Sequence, residues 1–157
     1  ISIKMKLTPR KTNLFLLWKL PSAFFTGVRV REISSSSCVT TVKHRWINQN
    51  PFRSVFWAVQ GMAAELSTGA LVMGAIQASG KNVSMLVVSN KATFTKKATG
   101  RVYFECNDGL LIQKAVKKAI ETDAGQTIWV KSEGRDAAGD VISVFEFEWT
   151  LKLRSKQ

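Results

Sequence analysis

The sequence predicts an α+β domain in which a curved antiparallel sheet of about six strands wraps around one long central helix. The first observation is the segment 54–79, which is almost wholly apolar and carries a single charge, Glu65. A helix on a protein surface keeps a polar face, so a helix that is apolar on every side must be covered. The second observation is that the flanking segments alternate apolar and polar residues, as half-buried strands do. The sheet and the helix therefore each have an apolar face that the other can cover.

A transmembrane span is the competing interpretation of segment 54–79, because roughly 20 apolar residues are enough to cross a bilayer. Gln60, Glu65 and Gln77 interrupt the apolar run, and amphipathic strands surround it. These features favour a core helix, and we predict no membrane span.

The elements before the central helix are marked by their ends. Thr8 and Pro9 provide an N-cap and a first helical residue, and Pro21 ends that helix at Leu20. Because this first helix is rich in Leu, Phe and Trp, we expect segment 1–21 to dock as a lid on the main domain. Strands follow at 28–33 and 38–47, joined by the serine run 34–37. The central helix then ends at Ser79 and Gly80, a glycine C-cap signal.

The elements after the central helix are two strands, a short helix and two more strands. The strands are predicted at 83–96, 99–107, 127–134 and 141–154, and the amphipathic helix at 110–121. The last strand has the strongest pattern, with Phe145, Phe147 and Trp149 alternating with charged and polar residues. This alternation is typical of an antiparallel strand with one buried face.

Length and composition indicate a single globular domain spanning residues 1–157, with 45% hydrophobic and 22% charged residues. The net charge of +12 suggests an anionic partner: nucleic acid, an anionic membrane or a phosphorylated small molecule. No run of like charges is longer than two residues, so a solvated basic surface is the alternative. A nucleic-acid binder is disfavoured because no basic cluster with interleaved aromatic residues is evident.

The inventory of reactive residues is short. The chain has one histidine, and its cysteines, Cys38 and Cys106, lie far apart, so we predict buried free thiols, no metal site and no cofactor. Residues 4–20 faintly resemble a signal peptide, but Trp18 and Lys19 interrupt the apolar run and no small-residue cleavage site follows. We therefore predict a cytoplasmic protein.

Several short motifs together resemble the hotdog-fold acyl-CoA thioesterases, and in particular a branch related to the phenylacetate-pathway type. They are the segments WINQN (46–50), FWA (56–58), MAAELSTG (62–69) and ATFTKK (92–97). The similarity runs from about Leu7 to Arg154. The resemblance implies a hotdog fold, an acyl-CoA substrate and subunits paired edge to edge as a homodimer or homotetramer, with sites between subunits.

In these thioesterases the middle of the central helix carries an acidic residue, and Glu65 stands at the corresponding place. The resemblance implies that Glu65 acts as nucleophile or general base, and that backbone N–H groups near the helix start, at Phe56 and Trp57, stabilise the oxyanion. The family's His-Gly-Gly before the helix is replaced here by Phe56-Trp57-Ala58. A non-catalytic acyl or acyl-CoA binding protein is therefore the alternative.

Other polar residues complete the candidate site. Asn50 is a candidate catalytic residue, and the candidate substrate-binding residues are Asn48, Gln60, Thr68, Lys91, Lys96 and Lys97, the lysines as partners for the phosphates of CoA. Each has a structural alternative. Asn48 and Asn50 can simply shape the turn, lysines at a strand end can protect an edge, and Glu65 can pair with Arg45 or Arg53 across a dimer interface.

Overall fold

The structure, a computed structural model, describes residues 7–154, which form four helices and six strands. In chain order these are α1 (Pro9–Lys19), α2 (Pro21–Phe25), β1 (Arg29–Ile33), β2 (Cys38–Lys43), α3 (Trp57–Ser79), β3 (Val83–Phe94), β4 (Arg101–Cys106), α4 (Gly109–Thr122), β5 (Gln126–Asp136) and β6 (Val141–Leu153). A single 3-10 turn, Trp46–Asn48, lies between β2 and α3.

The six strands form one sheet in the order β1-β2-β4-β5-β6-β3, and every neighbouring pair is antiparallel. The long helix α3 packs on one face of this sheet, and its contacts reach five of the six strands. The inward side chains of β6, including Phe145, Phe147 and Trp149, are buried beneath it. The predicted α+β class, the six-stranded antiparallel sheet and the long central helix are confirmed.

Small residues and hydroxyl groups bring α3 close to the sheet. The Thr40 hydroxyl donates to the backbone carbonyl of Ala63 at 2.6 Å, and the hydroxyls of Ser67 and Ser132 share a hydrogen bond of 2.7 Å. Gly69 leaves its Cα bare against the indole of Trp149, where a Cβ would lie 3.3 Å from the ring. Helix α3 therefore approaches β2 and β5 closely through small and hydroxyl side chains, and its glycine packs on a large side chain of β6.

The helix α3 begins three residues later than predicted. Val55 pairs with Gln49 in an isolated bridge, and its N–H donates to the carbonyl of Ala98 at 2.8 Å, so this part of the segment is extended. The prediction of a strand through Ile47 was also too long, because β2 ends at Lys43 and the chain turns at Trp46–Asn48. The first of these differences results from a contact with a distant part of the chain.

The two edges of the sheet differ. At the β1 edge, the Asn13 side chain of α1 accepts from the N–H of Val30 at 2.8 Å and donates to its carbonyl at 2.9 Å, so α1 covers this edge. At the other edge, β3 has no partner strand on its outer side within residues 7–154. Unpaired strand edges are sites of association.

The N-terminal helix begins as predicted, since the Thr8 hydroxyl accepts from the N–H of Lys11. Thr12 and Leu16 form its buried side, whereas Leu14 and Trp18 are exposed. Residues 1–6 of the predicted lid segment lie outside the described residues.

Helix α3 is long and apolar enough to cross a membrane by length and composition alone. The core helix of a globular protein meets the same criterion, and 61% of the most apolar 18-residue stretch of α3 is buried inside the structure.

Candidate functional site

Glu65 lies near the middle of α3 and is the acidic group that the sequence singles out in this helix. Between residues 7 and 154, its carboxyl group makes no ion pair and no hydrogen bond with another side chain. Burial raises its pKa above the ordinary value of 4.5. Desolvation disfavours a charged carboxylate, and no cation offsets this effect within the chain. The group is therefore poised to accept a proton.

A cavity of about 290 Å³ lies beside Glu65, between α3 and the junction of α1 with α2. Met62 and Leu66 line it from α3, and Lys19, Leu20, Pro21, Ser22 and Ala23 line it from the other side. Glu65 is the acidic residue of this lining. The N-terminal part of the chain therefore contributes to this cavity through the junction of α1 with α2. Lys19 and Ser22 were not among the predicted site residues, and the break at Pro21 was the one signal in the sequence that the chain turns there.

The first turn of α3 presents two unused backbone donors. The N–H of Phe56 donates to the carbonyl of Asn48 at 2.8 Å, and those of Val59 and Gln60 donate to the carbonyl of Phe56. The N–H groups of Trp57 and Ala58 have no acceptor within residues 7–154. Two backbone N–H groups were predicted as oxyanion donors. That of Trp57 is free within residues 7–154, whereas that of Phe56 already donates to Asn48. Free N–H groups at a helix N-terminus favour negative charge.

Asn48 is buried and fully hydrogen-bonded. Its amide nitrogen donates to the carbonyls of Thr26 and Lys43, both at 2.9 Å, and its side-chain oxygen accepts from the N–H of Arg45 at 2.8 Å. Both N–H donors of this side chain are therefore used within the protein, and its oxygen is buried. Asn48 ties α2, β2 and the start of α3 together.

The other predicted polar residues also have protein partners. Asn50 closes its own turn, since its side-chain oxygen accepts from the N–H of Phe52 at 2.9 Å and its amide donates to the Ser54 hydroxyl. Gln60 is buried and accepts from the Ser143 hydroxyl at 2.9 Å. Thr68 is buried and accepts from the Trp149 indole N–H at 3.0 Å. The structure places these side chains around α3 but directs them toward the protein.

The predicted lysines lie on the sheet, away from the cavity beside Glu65. Lys96 binds two carboxylates, Asp136 at 2.6 Å and Asp140 at 2.8 Å, and these hydrogen bonds raise its pKa. Lys91 pairs with Glu146 at 3.3 Å and lies over the ring of Trp129. Lys97 is exposed. Lys97 is therefore the predicted lysine whose charge is not neutralised by an ion pair within residues 7–154.

The two cysteines are free and buried, as predicted, and face each other on β2 and β4. Burial raises the pKa of Cys38 to about 12 and that of Cys106 to about 11. Thiols with such pKa values stay protonated and are poor nucleophiles. Among residues 7–154, no group of three or more His, Cys, Asp or Glu side chains is placed to hold a metal ion.

A larger cavity of about 710 Å³ lies elsewhere, between α3, α4 and the Ser34–Ser35 turn. Its walls are mainly apolar and include Ile33, Leu71, Gly74, Val116 and Ile120. Gly74 is nine residues after Glu65, which places it about 180° around the helix. This cavity and the Glu65 cavity therefore open on opposite sides of α3.

Solved structures with the same architecture come from several bacteria. A probable thioesterase from Pseudomonas aeruginosa is 18% identical, with a TM-score of 0.77 over 94% of this chain and 97% of that one. A protein from Chlorobaculum tepidum is 15% identical, with a TM-score of 0.79 over 95% and 99%. A thioesterase from Haemophilus influenzae is 10% identical, with a TM-score of 0.72 over 98% and 96%. These similarities confirm the hotdog fold.

At the level of sequence, no curated protein matches the chain. One family model, described as a domain of unknown function (DUF4442), matches residues 13–152, which is most of the chain. The protein therefore belongs to the DUF4442 family.

Proposed function

We propose that this protein is an acyl-CoA thioesterase in which Glu65 is the general base or the nucleophile. The observation that carries the proposal is the state of Glu65: a partly buried carboxyl group with a raised pKa and no cation partner within residues 7–154, which lines a cavity. Partial burial of a carboxyl group without a cation partner costs stability, so a functional role is a reason for its presence in this helix. Structurally similar proteins described as thioesterases support the reaction class.

The reaction requires a base or nucleophile, a donor for the developing oxyanion and space for the acyl group. Glu65 supplies the first, because a carboxylate of raised basicity accepts a proton from water more readily. The free N–H group of Trp57 or Ala58 supplies the second. The cavity lined by Met62 and Leu66 supplies space beside the carboxyl group.

The acid and the free amides of one chain cannot act on the same carbonyl. Trp57 and Glu65 are eight residues apart, which is about 12 Å along a helix. We therefore infer that the site forms between two copies, with the acid of one facing the helix start of the other, as the resemblance to hotdog thioesterases implies. The open β3 edge supplies the surface for such pairing. Light scattering is expected to give at least twice the chain mass of 17.4 kDa, and a stable monomer contradicts a shared site.

Acyl-CoA also carries phosphates, which fits the net charge of +12. Lys97 is the candidate phosphate partner among the predicted lysines, because Lys96 is held by two carboxylates and Lys91 by one. The acyl group we propose is a fatty or aryl group, as in the phenylacetate-pathway relatives, and the location we propose is the cytoplasm.

The test is acyl-CoA hydrolysis by the wild type and by Glu65→Gln. The glutamine keeps the size of the side chain but removes its basic carboxylate, so turnover is expected to fall by about 10²-fold or more. Binding of acyl-CoA should survive, since the charge is not needed for the apolar contacts. Asn50→Ala is the matched control and should leave turnover unchanged, because Asn50 closes its own turn. A folded Glu65→Gln protein with full activity refutes the assignment.

A second candidate function is non-catalytic binding of an acyl chain, and the 710 Å³ cavity is the observation that favours it. This cavity is mainly apolar, falls within the usual range for ligand sites and lies on the opposite side of α3 from Glu65. A wild type that binds a fluorescent fatty acid but hydrolyses no acyl-CoA supports this function. Ala75→Trp, which fills the cavity, should then abolish binding, whereas Glu65→Gln should leave it intact.

A further inference from the structure

One end of the sheet, where β2 ends and β4 begins, carries three exposed cations. Lys43 is the last residue of β2 and Arg101 the first of β4, and the two are direct partners in the antiparallel register. Lys97 lies in the loop between β3 and β4, shortly before Arg101. All three residues are exposed to solvent. We call this set the cationic cluster.

The cationic cluster has no acidic partner in the part of the chain that the structure describes. No ion pair of residues 7–154 includes Lys43, Lys97 or Arg101. Arg101 donates to the neutral hydroxyl of Thr41 at 3.3 Å. Like charges directly opposite each other on antiparallel strands destabilise a sheet. The juxtaposition of Lys43 and Arg101 therefore costs stability that no acid among these residues offsets.

Other cations of the sheet have carboxylate partners. On β3 and β5, and in the loop directly after β3, the paired cations are Lys91, Lys96, Lys131 and Arg135. Their charge is neutralised within the chain. The contrast indicates that the cationic cluster is free to bind an anion from outside the chain.

The loop of the cationic cluster also offers backbone donors. The N–H groups of Thr99 and Gly100 have no acceptor within residues 7–154. Gly100 has a φ of 66°, and a Cβ at this position would meet no atom within 4 Å, so open space borders the backbone here. Exposed N–H groups beside cations can donate charge-assisted hydrogen bonds to phosphate oxygens. The loop therefore combines positive charge with free donors.

Two backbone hydrogen bonds connect this loop to the segments before α3. The carbonyl of Gly100 accepts from the N–H of His44 at 2.7 Å, and that of Ala98 accepts from the N–H of Val55 at 2.8 Å. Trp57, whose own N–H is free, follows Val55 by two residues, which span at most about 7 Å. The cationic cluster and the candidate oxyanion donor therefore lie on neighbouring segments of the same chain.

We propose that the cationic cluster binds the phosphates of CoA, so that one copy supplies both the phosphate site and the oxyanion donor while its partner supplies the acid, Glu65. This inference rests on the proposed function. Acyl-CoA carries its diphosphate and ribose phosphate at one end and its thioester at the other, joined by the pantetheine arm. The arm then runs from the cationic cluster to the start of α3. Lys97, the candidate phosphate partner, thereby gains two further cations.

A nucleic acid fits the cationic cluster less well. Proteins that bind DNA through its backbone commonly contact about 6–10 phosphates. The cationic cluster has three cations, and the cations of β5 beyond it are paired with acids. A small ligand with a few phosphates close together matches three cations and two free N–H groups.

The first test measures the binding of CoA, and of pantetheine, which lacks the phosphates, by calorimetry. We expect the wild type to bind CoA more tightly, by a margin that shrinks at high salt. Lys43→Gln with Arg101→Gln should weaken CoA binding by about tenfold or more and leave pantetheine binding unchanged. Because this variant removes a like-charged pair, its melting temperature should not fall.

The matched control is Lys114→Gln with Lys118→Gln. This variant removes the same charge from two exposed positions of α4 and should change the binding of neither ligand. Thermal melting verifies that it is folded.

The second test assigns the parts of the site to subunits. The chain with Lys43→Gln and Arg101→Gln is co-expressed with a Glu65→Gln chain, and mixed dimers are purified through two different tags. One of their two sites combines the intact acid of one chain with the intact cationic cluster of the other. At low acyl-CoA concentration the mixed dimer should therefore have about half of the wild-type activity. Each variant alone should stay about tenfold or more below the wild type.

Three results would overturn the inference. The first is equal affinity of the wild type for CoA and pantetheine. The second is a Lys43→Gln, Arg101→Gln variant that binds CoA as tightly as the control variant does. The third is a mixed dimer no more active than the better of its two parent variants, which places the cationic cluster and the acid of one copy in the same site. Calorimetry needs no hydrolysis, so it tests the phosphate site independently of whether Glu65 is the base.

Discussion

The Thr68 hydroxyl donates a hydrogen bond of 2.9 Å to the backbone carbonyl of Glu65 and accepts one of 3.0 Å from the indole N–H of Trp149. Through this hydroxyl, the turn of α3 that carries the acid is joined to strand β6. Because Trp149 is buried, its N–H group has no access to solvent as a substitute. Thr68, predicted as a substrate-binding residue, therefore has partners that give it a role in positioning α3.

We expect Thr68→Val to destabilise the protein by about 1–3 kcal/mol, because it leaves a buried indole N–H unsatisfied. Thr68→Ser retains the hydroxyl and should cost less. Chemical denaturation of the three proteins measures the difference. Equal stabilities for the valine and serine variants would show that the hydrogen bond contributes little.

Asn48 and Asn50 are two residues apart but should respond differently to substitution. Asn48→Ala removes three hydrogen bonds from a buried site and should cost about 3 kcal/mol or more. Asn50→Ala removes bonds within an exposed turn and should cost about 1 kcal/mol. Thermal melting compares the two. A larger loss of stability from Asn50→Ala would contradict the role of Asn48 in joining α2, β2 and the start of α3.

The sequence predicted the elements whose buried residues can be recognised from the pattern of apolar residues within the element itself. The alternation in β6 and the apolar composition of α3 are local signals, and both elements form as expected. The boundary near residue 54 was wrong because the partner of Val55 is the distant carbonyl of Ala98. Such a contact leaves no trace in periodicity.

In the candidate site, too, local features could be predicted from the sequence and long-range contacts could not. Glu65 was identifiable because a charge within an apolar helix is conspicuous in any sequence. The neutralisation of Lys96 was not, because Asp136 and Asp140 are about 40 residues away and reach it only through the sheet. The occupation of the Phe56 amide by Asn48 likewise depends on how the loop folds back.

Stability should depend on pH through Glu65. Its pKa in the folded protein is raised above 4.5 by burial, so the folded state keeps a proton that the unfolded chain releases as the pH rises. The protein therefore loses stability between the ordinary glutamate pKa and the raised one. Glu65→Gln should have the same stability as the wild type below pH 4.5 and greater stability at neutral pH. Melting curves across this range measure the difference.

An ion pair across a dimer interface, with Arg45 or Arg53, would reverse that result. A cation lowers the pKa of a carboxyl group, so the wild type would then be the more stable protein at neutral pH, and the glutamine variant would leave an arginine unpaired. The sign of the difference at neutral pH therefore distinguishes an acid poised for proton transfer from a structural ion pair.

The free amide of Trp57 can be removed without removing the helix. Proline has no N–H group and is tolerated at the first helical position, which Trp57 occupies in α3. The preceding residue must be extended, and Phe56 has φ −58° and ψ 136°, which satisfies this requirement. If this amide stabilises the oxyanion, Trp57→Pro should lower kcat by about 10²–10³-fold, the usual effect of losing one such donor.

Trp57→Ala is the matched control for that experiment, because it removes the same side chain and keeps the amide. It should retain most of the turnover, and any change should appear mainly in KM, since the exposed ring can contact substrate but cannot donate this hydrogen bond. Helix content by circular dichroism verifies that the proline variant keeps α3. Equal activity of the proline and alanine variants would exclude the Trp57 amide as the donor and leave that of Ala58, the other free N–H group in this turn.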